Sequence, residues 1–240
     1  IIFALRANGA TISEEQEAIV SLAALVHDVS HLPYGHTFED ERKLFPRHDS
    51  AGRLEHFLKH GEISLALEAS RHQPAVLDLL TNKQFSPPWM RQIVASTIDA
   101  DLLDYLRRDA YFAGLRQDYD DRIFSTFTLV DNQLAIDLSR LSTRTEILHL
   151  LRLRYFLTER VYYHHAKVSS GAMIAKAVEL AVEKGLVESD IYPLTDDTLI
   201  HHLLTYKDAR IDRLIHGFTN RKLLKRAYMI TTANVGRRGR

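Results

Sequence analysis

The feature that most constrains the fold is the recurrence of apolar residues at helical spacing along most of the chain. Near the start, Ser13 and Gln16 form a capping-box pattern just ahead of an apolar run at 19–26. Pro33 and Gly35 then interrupt that run, so the segment around them is predicted to be a turn or loop. The chain begins with IIFALRAN, whose composition is typical of the middle of a helix, so we expect further residues upstream.

One segment departs from the helical pattern. Residues 126–137, TFTLVDNQLAID, alternate β-branched and apolar residues around Asp131-Asn132, which predicts a β-hairpin. The fold class predicted is therefore all-α with one small hairpin, in a single domain spanning 1–240 that lacks its upstream first helix. Further helices are predicted over 49–60, 62–70, 88–113, 144–184 (interrupted near Ser169-Ser170-Gly171), 195–204, 207–217 and 219–228.

Composition excludes several classes of protein. The chain has no cysteine, so disulfides, thiol catalysis and thiolate metal sites are absent, and any metal must be held by His, Asp or Glu. Acidic and basic residues balance at 31 each, so nucleic acid is a possible partner that the net charge does not indicate. No apolar run approaches the roughly 20 residues that span a bilayer, and we expect a cytoplasmic protein without a membrane partner.

Histidines and an aspartate cluster at the end of the first long helical run, in ALVHDVSHLPYGH (24–36). His27 and Asp28 are adjacent, and adjacent side chains diverge by about 100° on a regular helix, but at a helix end both can converge on one ion. His31, His36 and His48 follow within a short span. Isolated surface histidines are common, yet four histidines and one aspartate within a short span beside an apolar helix favour a metal site.

A second cluster lies in STIDADLLDYLRRDAYFAGL (96–115). Asp101, Tyr105 and Arg108 fall on neighbouring turns of one side of a predicted helix. Four acids and two arginines could form only a solvated surface. However, Asp101 and Tyr105 flank the apolar stripe, where a charge is costly unless it is paired or bound to a metal.

A third segment, RYFLTERVYYHHAK (154–167), combines cations with aromatic residues, which can hold phosphates and stack a base. A polar helix face with buried tyrosines is the alternative. Two lines of side chains at helical spacing are predicted here, one of Arg154, Thr158, Tyr162 and His165, the other of Arg160, His164 and Lys167.

Taken in order, these segments resemble the HD-domain phosphohydrolase superfamily, and within it the deoxynucleoside triphosphate (dNTP) triphosphohydrolases. The matching motifs are HDxxHxxxxHxxE (27–39), RHD (47–49), IDADLLDYLRRDAYFAG (98–114), the VDNQL hairpin, the RxxxxxxxYYHHxK helix and RKLLKRAY (221–228). The two-residue HD motif alone is weak, whereas YLRRDAYFAG with Asp101 upstream is specific.

The resemblance implies roles for individual residues. The metal ligands it implies are His27, Asp28 and Asp101, with one more histidine expected from the upstream segment. The catalytic residues it implies are His31, His36 and His48, with Glu39 hydrogen-bonded to His48. The substrate-binding residues it implies are Tyr105 and Asp109 against the sugar, Arg154 and Lys167 on the phosphate side, and Tyr162 and His164 near the base.

The same resemblance implies a divalent metal cofactor (Mn, Mg, Fe, Ni, Co or Zn), dNTPs as substrates and a homo-oligomer. Such an ion activates water and neutralises phosphoryl oxygens, while a histidine with a pKa near neutrality protonates the leaving 5′ oxygen. The expected reaction at the α-phosphate releases deoxynucleoside and intact triphosphate.

Two alternatives remain open. Leu102 stands where the family usually has a basic residue, and Ser30 and Leu32 replace glycines near the phosphates. The loss of a triphosphate contact favours an HD phosphodiesterase or nuclease acting on another phosphoester, although Tyr105 and Asp109 argue against it. A nucleotide-sensing subunit without turnover is the other reading, and the intact set of metal and histidine residues argues against that.

Overall fold

The computed structural model describes residues 1–39, 42–225 and 227. They form helices joined by short loops, together with one two-stranded antiparallel sheet. The predicted fold class, mostly α-helical with one hairpin, is confirmed. Across the described ranges, no helix is long and apolar enough to cross a membrane.

Tertiary contacts group the chain into two compact units. The first comprises Ile1–His31 and Pro46–Val161, and the second comprises Leu32–Phe45 and the chain from Tyr162 onward. The single domain over 1–240 stays a prediction.

The first unit contains eight α-helices among its described residues and the hairpin. The helices are α1 (Ile2–Ala7), α2 (Glu14–Val26), α3 (Ala51–Lys59), α4 (Gly61–Ala69), α5 (Gln73–Thr81), α6 (Pro88–Val94), α7 (Ala100–Phe112) and α8 (Leu141–Leu157). The strands are β1 (Phe127–Val130) and β2 (Gln133–Ile136), preceded by a 3-10 turn at Asp121–Thr126. The capping box predicted at Ser13 and Gln16 is present at the start of α2.

The second unit is built around α9. Its elements are a 3-10 turn at Gly35–Phe38, α9 (His165–Val182), α10 (Glu188–Ile191), α11 (Asp196–Leu204) and α12 (Ala209–Thr219). Phe38 packs into an apolar core with Leu199, Ile211 and Ile215. The helix predicted over 219–228 is wrong for residues 220–225, which follow the end of α12 without helical structure, and residues 226 and 228 lie outside the described residues.

Two predicted helices are each broken in two. The helix predicted over 88–113 stops at Val94 and resumes at Ala100, because Asp99 caps the second part with its side chain. The helix predicted over 144–184 is also interrupted, but at a different place from the one predicted. Ser169-Ser170-Gly171 lies inside α9, and the interruption is one turn of π-helix at Thr158–Tyr162 (the π-turn). There the Thr158 hydroxyl donates to the Arg154 carbonyl at 2.7 Å, a bond that competes with the helical ladder.

The hairpin forms as its turn residues predict. Asp131 and Asn132 both have positive φ, 51° and 60°, as a two-residue type I′ hairpin turn requires. Phe127 pairs with Ile136, and the Trp89 amide of α6 donates to the Asn132 carbonyl. The turn thereby ties the sheet to α6, which precedes the helix that carries Asp101.

The conformation of Asn132 generates a prediction. Asn132→Ala should lower the free energy of unfolding by about 1 kcal/mol, because alanine lacks the local hydrogen bonding that lets asparagine adopt the left-handed region. Asn132→Gly is the matched control and should keep the stability within a few tenths of that of the unmodified protein, since glycine accepts positive φ. Denaturant unfolding of both variants measures the difference, and equal destabilisation of the two would contradict the argument.

Candidate metal centre

The three predicted metal ligands meet in the first unit. His27 lies at the C-cap of α2, Asp28 follows as the chain turns away, and Asp101 projects from the first turn of α7. His27 Nε2 lies 3.2 Å from Asp28 Oδ1 and 3.7 Å from Asp101 Oδ1. One ligand atom of each residue lies within 4.8 Å of the others. The helix end thus removes the divergence that adjacent residues have within a helix.

The second ring nitrogen fixes the orientation of His27. Nδ1 lies 2.7 Å from the Ala24 carbonyl, which can only accept, so Nδ1 carries a proton. Nε2 is buried and has no aligned hydrogen-bond partner among the described residues, and the two carboxylates face it as ion-pair contacts. A histidine that donates through one nitrogen to a carbonyl and directs the other at carboxylates has the arrangement of a metal ligand.

The negative charges of Asp28 and Asp101 favour the binding of a cation beside His27. Contact with Asp101, reinforced by the charge of Asp28 and opposed by burial, raises the pKa of His27 to about 9. The same contact with His27 lowers the pKa of Asp101. One imidazole and two carboxylates suit a divalent ion, so this donor set fits such an ion without fixing its identity.

Asp99 positions Asp101, a role that the sequence analysis missed. One Asp99 oxygen accepts from the Leu102 amide at 2.8 Å and the other accepts from the Ser96 amide at 2.9 Å. Burial raises the pKa of Asp99 above its ordinary value. Because both of its oxygens already accept backbone N–H groups, Asp99 is poorly placed to replace Asp101. The sequence signal was an aspartate directly ahead of a helical apolar pattern.

Two of the predicted catalytic histidines lie beside Asp28. The rings of His31 and His48 stack at 3.9 Å, inclined by 16°. His31 Nδ1 lies 3.5 Å and His48 Nε2 lies 3.8 Å from Asp28 Oδ1. Ser30 donates to the His48 carbonyl at 2.7 Å within the protein interior, which fixes the loop that carries this histidine.

The other two predicted catalytic residues lie in the second unit. His36 Nδ1 lies 3.5 Å from Glu39 Oε2. The Glu39 side chain is fully buried, whereas His36 is about half exposed. The pairing of Glu39 with His48 stays a prediction.

Three predicted substrate residues come from α7 and α8. Tyr105 follows Asp101 by one helical turn, and Asp109 follows Tyr105 by another. Burial raises the pKa of Tyr105, and the positive charge of Arg154 opposes that rise while Asp109 adds to it. Arg154 of α8 and Asp109 of α7 are therefore close enough to act electrostatically on the Tyr105 phenol, which lies one helical turn from the predicted metal ligand Asp101.

The predicted continuous lines of side chains through 154–167 are wrong. Arg154 belongs to α8, Tyr162 ends the π-turn, and Lys167 lies in the first turn of α9. His164 is the N-cap of α9, where its Nδ1 accepts from the Ala166 amide at 3.3 Å. Because the helix is interrupted, residues on its two sides share no single helical face.

Comparison with known families identifies the class of protein. A model of the HD domain matches residues 2–109, and a model of the HD-associated region matches residues 118–239. The second match alone covers more than half of the chain. The chain belongs to the HD-domain phosphohydrolase superfamily.

Individual relatives are more distant. An uncharacterized protein of Mycoplasma pneumoniae is 36% identical over 44% of this chain and 27% of its own length. A protein named deoxynucleoside triphosphate triphosphohydrolase SAMHD1 homolog, from Dictyostelium discoideum, is 24% identical over 89% of this chain and 45% of its own length. The chain thus spans less than half of the length of both relatives.

Solved structures share the fold. A phosphohydrolase from Bacteroides thetaiotaomicron superposes with a TM-score of 0.73 at 20% identity, over 98% of this chain and 65% of that one. A hypothetical protein from Aquifex aeolicus superposes with a TM-score of 0.69 at 25% identity, over 85% and 56% respectively. At 20% identity, the first likeness shows the fold alone.

Metal content should depend on Asp101. Asp101→Ala should weaken Mn²⁺ binding by more than about 100-fold, because the removed oxygen faces His27 and Asp99 is held by backbone amides. Asp104→Ala is the matched control on the same helix, since Asp104 pairs with Arg108 at 2.9 Å. Elemental analysis and calorimetric titration of both variants measure the effect. An Asp101→Ala protein that keeps its full metal content would show the assignment to be wrong.

Metal binding should release a proton. The pKa of His27 lies at about 9 without metal, so at a pH of about 7.5 its Nε2 is protonated and a cation at that atom must displace the proton. The metal-bound state therefore holds fewer protons, and the apparent affinity for Mn²⁺ should rise with pH up to about 9. Titration calorimetry in two buffers of different ionisation enthalpy measures the proton count. Binding heats that do not change with the buffer would contradict this protonation state.

Proposed function

We propose that this protein is a metal-dependent dNTP triphosphohydrolase, which converts a dNTP and water into deoxynucleoside and triphosphate. The observation that carries the proposal is the arrangement on α7, where a metal ligand, Asp101, is followed one turn later by a half-buried tyrosine, Tyr105, that is influenced by Arg154 of α8. The Dictyostelium relative, named as such an enzyme, supports it over 89% of this chain.

In this proposal His27, Asp28 and Asp101 hold a divalent ion. Its chemistry is to activate water and to neutralise charge on the phosphoryl oxygens. His27 is oriented for this role by its Nδ1–H donating to the Ala24 carbonyl, and Asp101 by the Asp99 cap of α7.

The histidines supply the proton. Attack of water on the α-phosphorus forms a new P–O bond while the bond from phosphorus to the 5′ oxygen breaks, and that oxygen must take up a proton. We assign the donor to His48, because its Nε2 lies 3.8 Å from Asp28 Oδ1, beside the metal ligands. His31, stacked on His48, and His36 with Glu39 complete the proposed catalytic set.

The remaining residues bind the nucleotide. Tyr105 and Asp109 contact the deoxyribose, and the ring of Tyr105 leaves no space for a 2′-hydroxyl. Arg154 and Lys167 pair with phosphate oxygens as charge-assisted donors. The residues placed near the base are Tyr162 and His164.

One observation favours a second function. Leu102 is only 4% exposed, so the position directly after Asp101 contributes to the core and offers no cation to a triphosphate. An HD phosphodiesterase or nuclease that acts on another phosphoester needs no such cation.

Product analysis separates these functions. The protein is incubated with each dNTP and with Mn²⁺, Mg²⁺, Ni²⁺ or Co²⁺, and the products are resolved by anion-exchange chromatography. We expect deoxynucleoside and inorganic triphosphate in equal amounts, and no turnover by Asp101→Ala. Release of a deoxynucleoside monophosphate, or hydrolysis only of other phosphoesters, would favour the second function. Nucleotide binding by the metal-loaded protein without any product would favour a sensing subunit.

Sugar discrimination should depend on Tyr105. Tyr105→Ala should increase the ratio of ribonucleotide to deoxynucleotide turnover by on the order of 10-fold, because the smaller side chain opens space at the 2′ position. Tyr111→Ala is the matched control, since Tyr111 lies on the same helix and is largely exposed. Competition assays that contain both nucleotides give the ratio directly. A ratio equal to that of the unmodified protein would refute this role for Tyr105.

A further inference from the structure

The turn that carries His36 begins with an unusual backbone conformation. Tyr34, two residues before His36, has φ 63° and ψ 17°, in the left-handed region that bulky residues rarely adopt. Gly35 follows with φ 58°, a value that glycine accepts without strain. A bulky residue keeps this conformation only where its surroundings hold it, and such residues concentrate at functional sites.

Asp196, at the start of α11, holds Tyr34 in this conformation. Asp196 Oδ1 accepts from the Tyr34 amide at 2.8 Å, and the Asp196 carbonyl accepts from the Tyr34 hydroxyl at 3.1 Å. Phe218 of α12 meets the Tyr34 ring edge-on, with the ring centroids 5.6 Å apart. Burial and the charges of Asp196 and Asp197 raise the pKa of Tyr34 to about 12, so the phenol stays protonated and can donate. One residue of α11 thus binds both the main chain and the side chain of Tyr34.

Helix α11 does not require the Asp196 side chain for its start. Thr195 is the N-cap, and its hydroxyl accepts from the Thr198 amide at 3.3 Å while the Thr198 hydroxyl accepts from the Thr195 amide at 2.7 Å. Asp197 is a second acidic residue in the first turn, where a negative charge favours the helix. Because the cap is complete without it, the Asp196 carboxylate can serve the contact with Tyr34.

The other side of the turn is anchored by Phe38, which is fully buried in the core of the second unit. The Thr37 hydroxyl donates to the Tyr34 carbonyl at 2.8 Å and so joins the two anchors. His36 lies between them, with its side chain about half exposed and its Nδ1 3.5 Å from Glu39 Oε2. The backbone of His36 is therefore held from both sides while part of its imidazole remains accessible to solvent.

We propose that Asp196 is a positioning residue for His36. By fixing Tyr34, Asp196 sets the place from which the imidazole projects, and a misplacement of about 1 Å at a reacting group can lower a rate by as much as about 100-fold. The residues concerned all lie in the second unit. The consequence for turnover rests on the proposed function, in which His36 belongs to the catalytic set, whereas the effect on the position of His36 does not.

The first experiment measures the position of His36 without turnover. Proton–carbon NMR correlation spectra of the histidine rings are recorded, and the His36 signals are assigned from the His36→Gln variant. Asp196→Ala should shift these signals, because the Tyr34 amide loses its acceptor. Folding is not at risk, since Asp196 is exposed and Thr195 caps α11, and thermal unfolding checks this.

Two further variants separate the hydrogen bond from the charge. Asp197→Ala is the matched control, because it removes an equal charge from the same helical turn but leaves the acceptor of the Tyr34 amide in place. Asp196→Asn should also keep the His36 signals of the unmodified protein, since its amide oxygen can still accept. His36 signals that do not move in Asp196→Ala, or that move equally in Asp197→Ala, would overturn the proposal.

The second experiment measures the consequence for hydrolysis of a dNTP. Asp196→Ala should lower kcat on the order of 10-fold with little change in KM, because a misplaced reacting group weakens the transition state more than substrate binding. Asp197→Ala and Asp196→Asn should keep the kcat of the unmodified protein. An unchanged kcat in an Asp196→Ala protein whose His36 signals have shifted would overturn the role in catalysis. Absence of dNTP turnover by the unmodified protein would instead overturn the proposed function, and the NMR spectra would still decide whether Asp196 positions His36.

Discussion

The structure depends on the approach of two carboxylates, Asp28 and Asp101, to one imidazole, that of His27. Like charges this close repel each other, and the proton on the imidazole offsets that repulsion, which is why the pKa of His27 rises to about 9. The Ala24 carbonyl and the Asp99 cap each hold one member of the set in place. The end of α2 and the start of α7 are thus arranged for a cation, and the adjacent histidines and Tyr105 take their positions from these two helix ends.

The parts of the fold that local sequence controls could be predicted. The capping box of α2 and the hairpin turn at Asp131-Asn132 depend on residues within a few positions, and both formed as expected. The breaks in the long helices could not be placed in this way. The side chains of Asp99 and Thr158 each form hydrogen bonds with backbone groups of a helix. Whether such a residue caps a helix, bends it or leaves it unchanged depends on its tertiary surroundings. Ser169-Ser170-Gly171, which looked like a stronger breaker, lies inside α9 because the neighbouring α9 residues Met173 and Ile174 are buried.

The same distinction applies to the candidate site. The set of His27, Asp28 and Asp101 was implied by the resemblance to HD-domain phosphohydrolases, and the structure brings their ligand atoms together. The proton on His27 Nδ1 and the stacking of His31 on His48 had no sequence signal strong enough to predict them, because both depend on how the folded chain places the two atoms or rings. The side-chain lines through 154–167 failed for the converse reason, since they assumed a continuous helix that the π-turn interrupts.

Helix α8 connects the core of the first unit to the candidate site. Leu150, Leu153 and Leu157 pack one face of the helix into the core, and Arg154, from its last turn, acts electrostatically on Tyr105 beside the predicted metal ligands. Tyr155 is adjacent in sequence to Arg154 but points about 100° away from it, and its side chain is largely exposed. Because Leu153 and Leu157 on either side of Arg154 are buried, the position of the proposed phosphate contact depends on the packing of the core.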